Sequence, residues 1–234
     1  VLFRSPLRIH FIDVGQGDST LIQVPDGSTV LIDGGSIFSY PFLVEYLKNT
    51  GVTKIDLLVA SHPHGDHIGG LIKVLDTFPV NTVLDPGKDH PSEYYQRFLE
   101  AVRARPGTEY KLPRKGDRFQ LGELELVVLH PTSRLPDNPN DASIVFKAIY
   151  GDESFLFTGD AEEWAEEQTL RSGFSLKSTV LKVGHHGSKT STSPAFLNRV
   201  DPRLAVIPVG EKNVYGHPFP QVLRRLKAHG IEIY

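Results

Sequence analysis

The 234 residues contain no cysteine, no methionine and a single tryptophan. Without thiols the chain can form no disulfide, and metals that demand thiolate ligands are excluded. No stretch approaches the roughly 20 apolar residues that cross a bilayer, and no secretory leader is visible. An excess of positive charge is missing as well: 25 Lys and Arg stand against 28 Asp and Glu, for a net charge of -3. No global basic field therefore attracts nucleic acid, and a phosphate-bearing substrate has to be held by metals and a local patch. Low-complexity linkers are lacking too. With 39% hydrophobic residues the chain can bury a full core, and one domain over residues 1–234 is the simplest organisation. A start at Val1 and an end inside the strand-like run Gly230-Ile231-Glu232-Ile233-Tyr234 read as a fragment of something longer.

What the chain does have is histidine concentrated in one place. The run Ala60-Ser61-His62-Pro63-His64-Gly65-Asp66-His67 puts four potential metal ligands within six residues, directly after the apolar segment Ile55-Asp56-Leu57-Leu58-Val59. Side chains at i and i+2 of an extended segment point the same way, so His62 and His64 can converge on one ion. Asp66 and His67 fall past the turn, toward a second position. Imidazole and carboxylate suit zinc, manganese or iron. A solvated His-rich loop would account for a lone His-x-His. It does not account for Asp66 followed by Gly69-Gly70, where a helix must begin tightly.

Hydrophobic patterning predicts two halves of similar grammar, although no repeat is evident in the residues themselves. Leu7 to Val14, Ser19 to Val24 and Ser28 to Asp33 read as an antiparallel meander between Gly-rich turns. A helix over Pro41 to Asn49, a strand over Asp56 to Ala60, helices over Ile68 to Asp76 and Pro91 to Arg103, and a short strand at Thr82-Val83-Leu84 follow. The second half predicts strands at Glu123 to Leu129, Ser143 to Tyr150, Ser154 to Phe157, Thr179 to Val183 and Leu204 to Pro208. Helices are expected over Glu162 to Arg171, from Ser193, and over Pro218 to Ala228. Sheets in both halves with helices outside give an α+β fold, a four-layer αββα sandwich.

Further chemistry sits at strand ends. Phe155-Leu156-Phe157-Thr158-Gly159-Asp160 ends in a carboxylate well placed to bridge two metals, although Thr-Gly-Asp alone is most often a turn. Val180-Leu181-Lys182-Val183-Gly184-His185-His186-Gly187-Ser188 delivers a histidine pair. Lys182 is expected to face a solvated strand edge, and His130, before Pro131, to be structural.

Together these segments resemble the metallo-β-lactamase superfamily. The resemblance rests on Ile32-Asp33-Gly34-Gly35, His62-x-His64-x-Asp66-His67, Thr158-Gly159-Asp160 and Gly184-His185. Within it, the ComEC-like competence-protein C-terminal domain is suggested by four further motifs. These are Phe11-Ile12-Asp13-Val14-Gly15-Gln16-Gly17-Asp18, Asn140-Asp141-Ala142-Ser143, Lys182 to Ser188, and Tyr215-Gly216-His217-Pro218. The resemblance implies that His62 and His64 bind a first divalent ion, Asp66, His67 and His185 a second, and that Asp160 bridges them. Asp33 would orient a liganding histidine or the metal loop. The superfamily's histidine before the strand at Ser143 is replaced by Asn140 and Asp141, which favours manganese over zinc.

The implied activity is a metal-dependent phosphodiesterase or nuclease acting on DNA during uptake, with Asp66 and Asp160 at the chemistry. His186, Ser188, Lys189 or His217 would stabilise charge or protonate the leaving oxygen, although His217 equally suits a turn before a helix. The implied partners are DNA and the membrane channel portion of the same polypeptide, at the extracytoplasmic face of the cytoplasmic membrane. A small phosphodiester or phosphocholine-type esterase, or a non-catalytic DNA-guiding domain, are the alternatives, and lactam hydrolysis is the least expected. A DNA substrate further predicts a local basic surface drawn from Lys88, Arg114, Lys115, Lys182, Lys189 or Lys212.

Overall fold

The computed structural model describes residues 6–234. Strands β1 (Arg8–Phe11), β2 (Thr20–Gln23), β3 (Thr29–Ile32), β4 (Ile55–Val59), β5 (Val80–Leu84) and β6 (Glu109–Lys111) form one six-stranded sheet in chain order. The second sheet has seven strands, also in chain order: β7 (Arg118–Leu121), β8 (Leu124–His130), β9 (Val145–Tyr150), β10 (Glu153–Phe157), β11 (Val180–Lys182), β12 (Leu204–Val206) and β13 (Glu232–Ile233). Each sheet begins as an antiparallel meander. Each turns parallel, at β3 in the first and at β10 in the second.

Parallel neighbours require crossovers, and helices supply them. In the first half these are α1 (Tyr40–Asn49), the pair α2 (Gly65–Ile68) and α3 (Leu71–Thr77), and α4 (Glu93–Arg103). In the second half α5 (Glu163–Leu170), α6 (Pro194–Val200) and α7 (Pro220–Ala228) do the same. None of the helices among the described residues is long and apolar enough to cross a membrane.

Period-two alternation sorts the strand residues between layers. Ile22, Val30, Ile32, Leu57 and Val59 of the first sheet meet Leu124, Leu126, Val128, Phe146 and Phe157 of the second in a core between the sheets. Leu21, Leu31 and Leu58 face the other way, onto Leu43, Leu47, Leu71, Leu75 and Phe98 of the helices. Val127, Leu129 and Leu181 pack likewise against Phe196, Leu197, Val222 and Leu226. Three cores separated by two sheets are the expected four-layer αββα sandwich.

Two expectations are corrected. The single helix from Ile68 to Asp76 is two helices, broken at Gly69-Gly70, because the loop after β3 runs against it. Gly70 N–H donates to Gly35 O at 3.0 Å and Gly34 N–H to His67 O at 2.7 Å, and a Cβ on Gly70 would strike the Gly34 carbonyl. The edge strands β6 and β7 were not anticipated. They are short and largely exposed, so neither carries an apolar stripe.

Beyond β5, Asp85 is buried and accepts a hydrogen bond from the Tyr95 hydroxyl of α4 at 3.1 Å. Burial pushes its carboxyl up to about 6, against the lowering effect of its donors Gly87 N–H and the Tyr95 and Tyr110 hydroxyls. The folded chain thus holds this proton more tightly than the unfolded one. The stabilisation is complete below about pH 4 and is lost as pH rises through 6. The gap between 3.8 and about 6 corresponds to up to about 3 kcal/mol. Asp85→Asn, which keeps the acceptor without the charge, is expected to raise the urea midpoint at pH 7 and to flatten its decline between pH 4 and 6. An unchanged midpoint would show that the charged form costs nothing.

Candidate metal centre

The parallel strands β3, β4, β10, β11 and β12 all end on one edge of the sandwich, where α/β sheets gather ligands. Asp33, just past β3, is buried and adopts a left-handed conformation with φ of 55°. Its Oδ1 accepts from Ser61 N–H at 2.8 Å, and its Oδ2 from the Ser61 hydroxyl at 2.7 Å and from His67 Nδ1–H at 2.9 Å. That contact fixes the tautomer of His67 and leaves Nε2 bare, the arrangement a metal-binding imidazole needs. His62 lies beside it with Nδ1 3.1 Å from Ser61 Oγ, and its Nε2 is 3.1 Å from His64 Nδ1. The i, i+2 pair therefore converges, with His62 buried and His64 reaching outward toward His90.

Asp160 occupies the middle. Its Oδ2 stands 3.2 Å from His67 Nε2, 3.5 Å from His186 Nε2, 3.7 Å from His62 Nε2 and 3.9 Å from His185 Nε2. Gly159, with φ of 52°, turns the chain in, and Ser143 Oγ accepts from Asp160 N–H at 3.0 Å. Asp66 is half-buried, its Oδ2 3.5 Å from His186 Nε2.

The histidine pair divides its work in a way the residues alone left open. His185 and His186 both adopt left-handed backbone conformations, with φ of 47° and 52°, a strained pair of the sort that collects at functional sites. The turn points His186 inward, 2% exposed, with Nδ1–H donating to Pro208 O at 2.8 Å and Nε2 left bare. His185 is 23% exposed at the side chain, its Nδ1 3.0 Å from Glu162 Oε1. Of the two rings His186 is the deeper, its Nε2 3.5 Å from Asp160 Oδ2 against 3.9 Å for that of His185.

Lys182 is the clear correction. It does not face a solvated edge: only 3% exposed, its Nζ donates to Gly159 O at 2.7 Å, pairs with Asp18 and stands 3.8 Å from Asp160 Oδ1. It therefore belongs to no basic surface. A lone lysine inside an apolar strand run was the available signal. Asp18 was also missed, because Gly15-Gln16-Gly17-Asp18 reads as an ordinary turn. It is buried, with Oδ1 3.3 Å from His186 Nδ1.

The remaining residues lie around this cluster. Asn140 donates to Glu162 Oε1 at 3.0 Å, and its buried Oδ1 has no partner. Asp141 is turned to the start of α5, its Oδ1 accepting from Glu162 N–H and Ala165 N–H at 3.1 Å each. His130 donates to or accepts from nothing in the cluster, its Nε2 lying 2.7 Å from Asp141 O. Ser188 is buried with Oγ on Thr190 Oγ1 at 2.9 Å, while Lys189 is exposed with Nζ 5.9 Å from the Phe219 ring centre. The His217 ring lies 5.4 Å from that of His185 and 6.3 Å from that of His186.

Charge is heavily redistributed here. Burial alone would lower the pKa of His67, but the Asp160, Asp18 and Asp33 carboxylates hold it well above the usual value. His186 is pushed up to about 10, against its burial, chiefly by Asp160 and Asp18. Asp160 is held well below the carboxylate range, despite its burial, by His67 and His186. Among the buried side-chain atoms without a hydrogen-bond partner in the described residues are Asp18 Oδ1, His67 Nε2, Asp160 Oδ1 and His186 Nε2. Orphaned buried polar atoms are costly, and these sit in two groups, Asp18-His67-His186 and His62-His67-Asp160, each with ligand atoms within 4.8 Å of one another. The donor set fits divalent cations, and nitrogen and oxygen donors without sulfur suit manganese or zinc.

Known proteins are similar to this chain over most of its length. The chain is 33% identical to ComE operon protein 3 of Bacillus subtilis (strain 168), over 97% of this chain and 31% of that protein. It is 33% identical to Competence protein ComA of Neisseria gonorrhoeae, over 94% of this chain and 30% of that protein. It thus spans about a third of the length of these curated relatives. Among solved structures, the metallo-beta-lactamase fold protein YhfI from Bacillus subtilis superposes with a TM-score of 0.61 at 13% identity, covering 98% of this chain and 96% of the other. Residues 12–211 match the Metallo-beta-lactamase superfamily, whose members are generally metal-dependent hydrolases, and the chain belongs to that family.

Proposed function

We propose that this chain hydrolyses phosphodiester bonds of DNA at a centre for two divalent cations, as an extracytoplasmic domain of a longer membrane protein of DNA uptake. One observation carries the hydrolytic reading: four imidazole Nε2 atoms gather within 3.9 Å of a single carboxylate oxygen of Asp160. The similarity to a protein named for competence supports DNA as the substrate.

His62 and His64 would hold one cation, Asp66, His67 and His186 the other, with Asp160 between them. Asn140 in place of a further imidazole favours manganese. Divalent cations held there would supply Lewis acidity and lower the pKa of a water. The protein's own contribution is orientation and charge. Asp33 and the Pro208 carbonyl hold His67 and His186 by their Nδ1 atoms, so both present Nε2 inward. Lys182 holds Asp18 and compensates the carboxylates from behind. His185, backed by Glu162, and His217 line the open side, where a leaving oxygen takes a proton. Burial and the neighbouring imidazoles of His185 and His186 lower the His217 pKa.

The test is cleavage of end-labelled linear single- and double-stranded DNA by metal-stripped protein reloaded with manganese, magnesium or zinc. Manganese-dependent degradation that Asp66→Ala lacks is the expected result. Hydrolysis of a small chromogenic phosphodiester but not of DNA would turn the reading to a small-diester esterase. Salt-dependent DNA binding without any cleavage would turn it to a DNA-guiding domain.

A further inference from the structure

We propose that Tyr215, at the mouth of the metal centre, is a stacking platform for a nucleobase of single-stranded DNA. This inference rests on the reading of the site as one that acts on DNA.

The loop between β12 and α7 carries the segment Val214-Tyr215-Gly216-His217, which the catalytic cluster leaves largely unused. Tyr215 is 61% exposed and Val214 90% exposed. The Tyr215 ring lies stacked on His217, with centroids 5.8 Å apart and planes 25° from parallel. His217 in turn stands 5.4 Å from His185 and 5.6 Å from Phe219. One face of the phenol is thus backed by an imidazole that adjoins the metal centre.

An exposed tyrosine in a loose turn would carry no inference. This turn is held. Asn213 Oδ1 accepts from Tyr215 N–H at 3.2 Å and His217 N–H at 3.0 Å, while its Nδ2 donates to Gly210 O at 2.9 Å and His217 O at 2.8 Å. Gly210 N–H is bonded to Gln16 Oε1 at 3.1 Å, which ties the loop to the first sheet's Gly-rich turn. All four polar positions of the Asn213 amide are spent on holding the aromatic outward. A preorganised exposed ring loses little freedom when a flat ligand covers it.

Charge complementarity selects the ligand. Lys212, three residues before Tyr215 on the same loop, and Lys189, with Nζ 5.9 Å from the Phe219 ring centre, are exposed, and Glu211 is the loop's lone carboxylate. An aromatic face beside cations fits a base attached to a phosphate backbone. The strand has to be single, because in a duplex the faces of the bases are covered by their neighbours.

The experiment compares fluorescence-anisotropy affinities for an oligothymidylate and an abasic strand of equal length, in EDTA so that binding is read without cleavage. The wild-type chain is expected to bind the base-bearing strand about 10-fold more tightly, since stacking on one aromatic is worth roughly that factor or more. Tyr215→Ala should close the gap, and Tyr215→Phe should keep it. Equal affinities in the wild type, or a gap that survives in Tyr215→Ala, would overturn the proposal. A gap that behaves as expected in a chain that cuts no DNA with any metal would leave the platform standing and the nuclease reading rejected.

Discussion

His186→Ala is expected to lower manganese-dependent cleavage on the order of 10^3-fold or more and to remove one cation from the chain, while His185→Ala costs only about 10- to 100-fold. His186 Nε2 lies 3.5 Å from both Asp66 Oδ2 and Asp160 Oδ2, with its other nitrogen tied to Pro208 O. If His186 holds a cation as proposed, its loss removes several kcal/mol of charge stabilisation, which is three or more powers of ten in rate. His185 is attached to Glu162, its Nε2 farther from Asp160 at 3.9 Å, and its loss resembles that of a residue acting through its neighbours. Elemental analysis of metal content beside kcat/KM reads both effects. Loss of metal from His185→Ala but not from His186→Ala would force the second position to be rebuilt around His185.

Lys182→Met should cost the metal-free protein about 3–5 kcal/mol, because removing one member of a buried ion pair leaves the other charge uncompensated. The stranded group here is Asp18, with Asp160 close by. In a domain of this size that corresponds to a fall in Tm of roughly 6–20 °C. Asp18→Asn combined with Lys182→Met should recover part of the loss, since the two effects share one contact and do not add. Manganese should recover part as well, because a cation bound only by the folded chain stabilises it by mass action. A single variant melting within a degree of the wild type would show that the pair contributes nothing.

The layers of the fold were legible because alternation and length are local properties. Leu21 and Ile22, or Val127 and Val128, declare opposite faces of a sheet by their spacing alone. The clustering of the histidine-rich loop was legible for a similar reason: His62, His64, Asp66 and His67 are neighbours in sequence, and Asp160 follows a strand whose end points to the same edge. Short polar edge strands such as β6 and β7 were not, since their pairing depends on the sheet they join.

Local pattern was enough for the αββα architecture, the histidine and aspartate motifs, and the family to which they belong. Tertiary structure alone decided which of two adjacent histidines turns inward, because that depends on two left-handed residues and on a carbonyl 22 positions away, at Pro208. It also decided the fate of Lys182. A lysine in a strand is by default solvated, and only the arrival of Asp18 from the other sheet, with the Gly159 carbonyl, makes its burial tolerable. Charges that compensate one another across 164 residues of chain leave no trace in any local pattern.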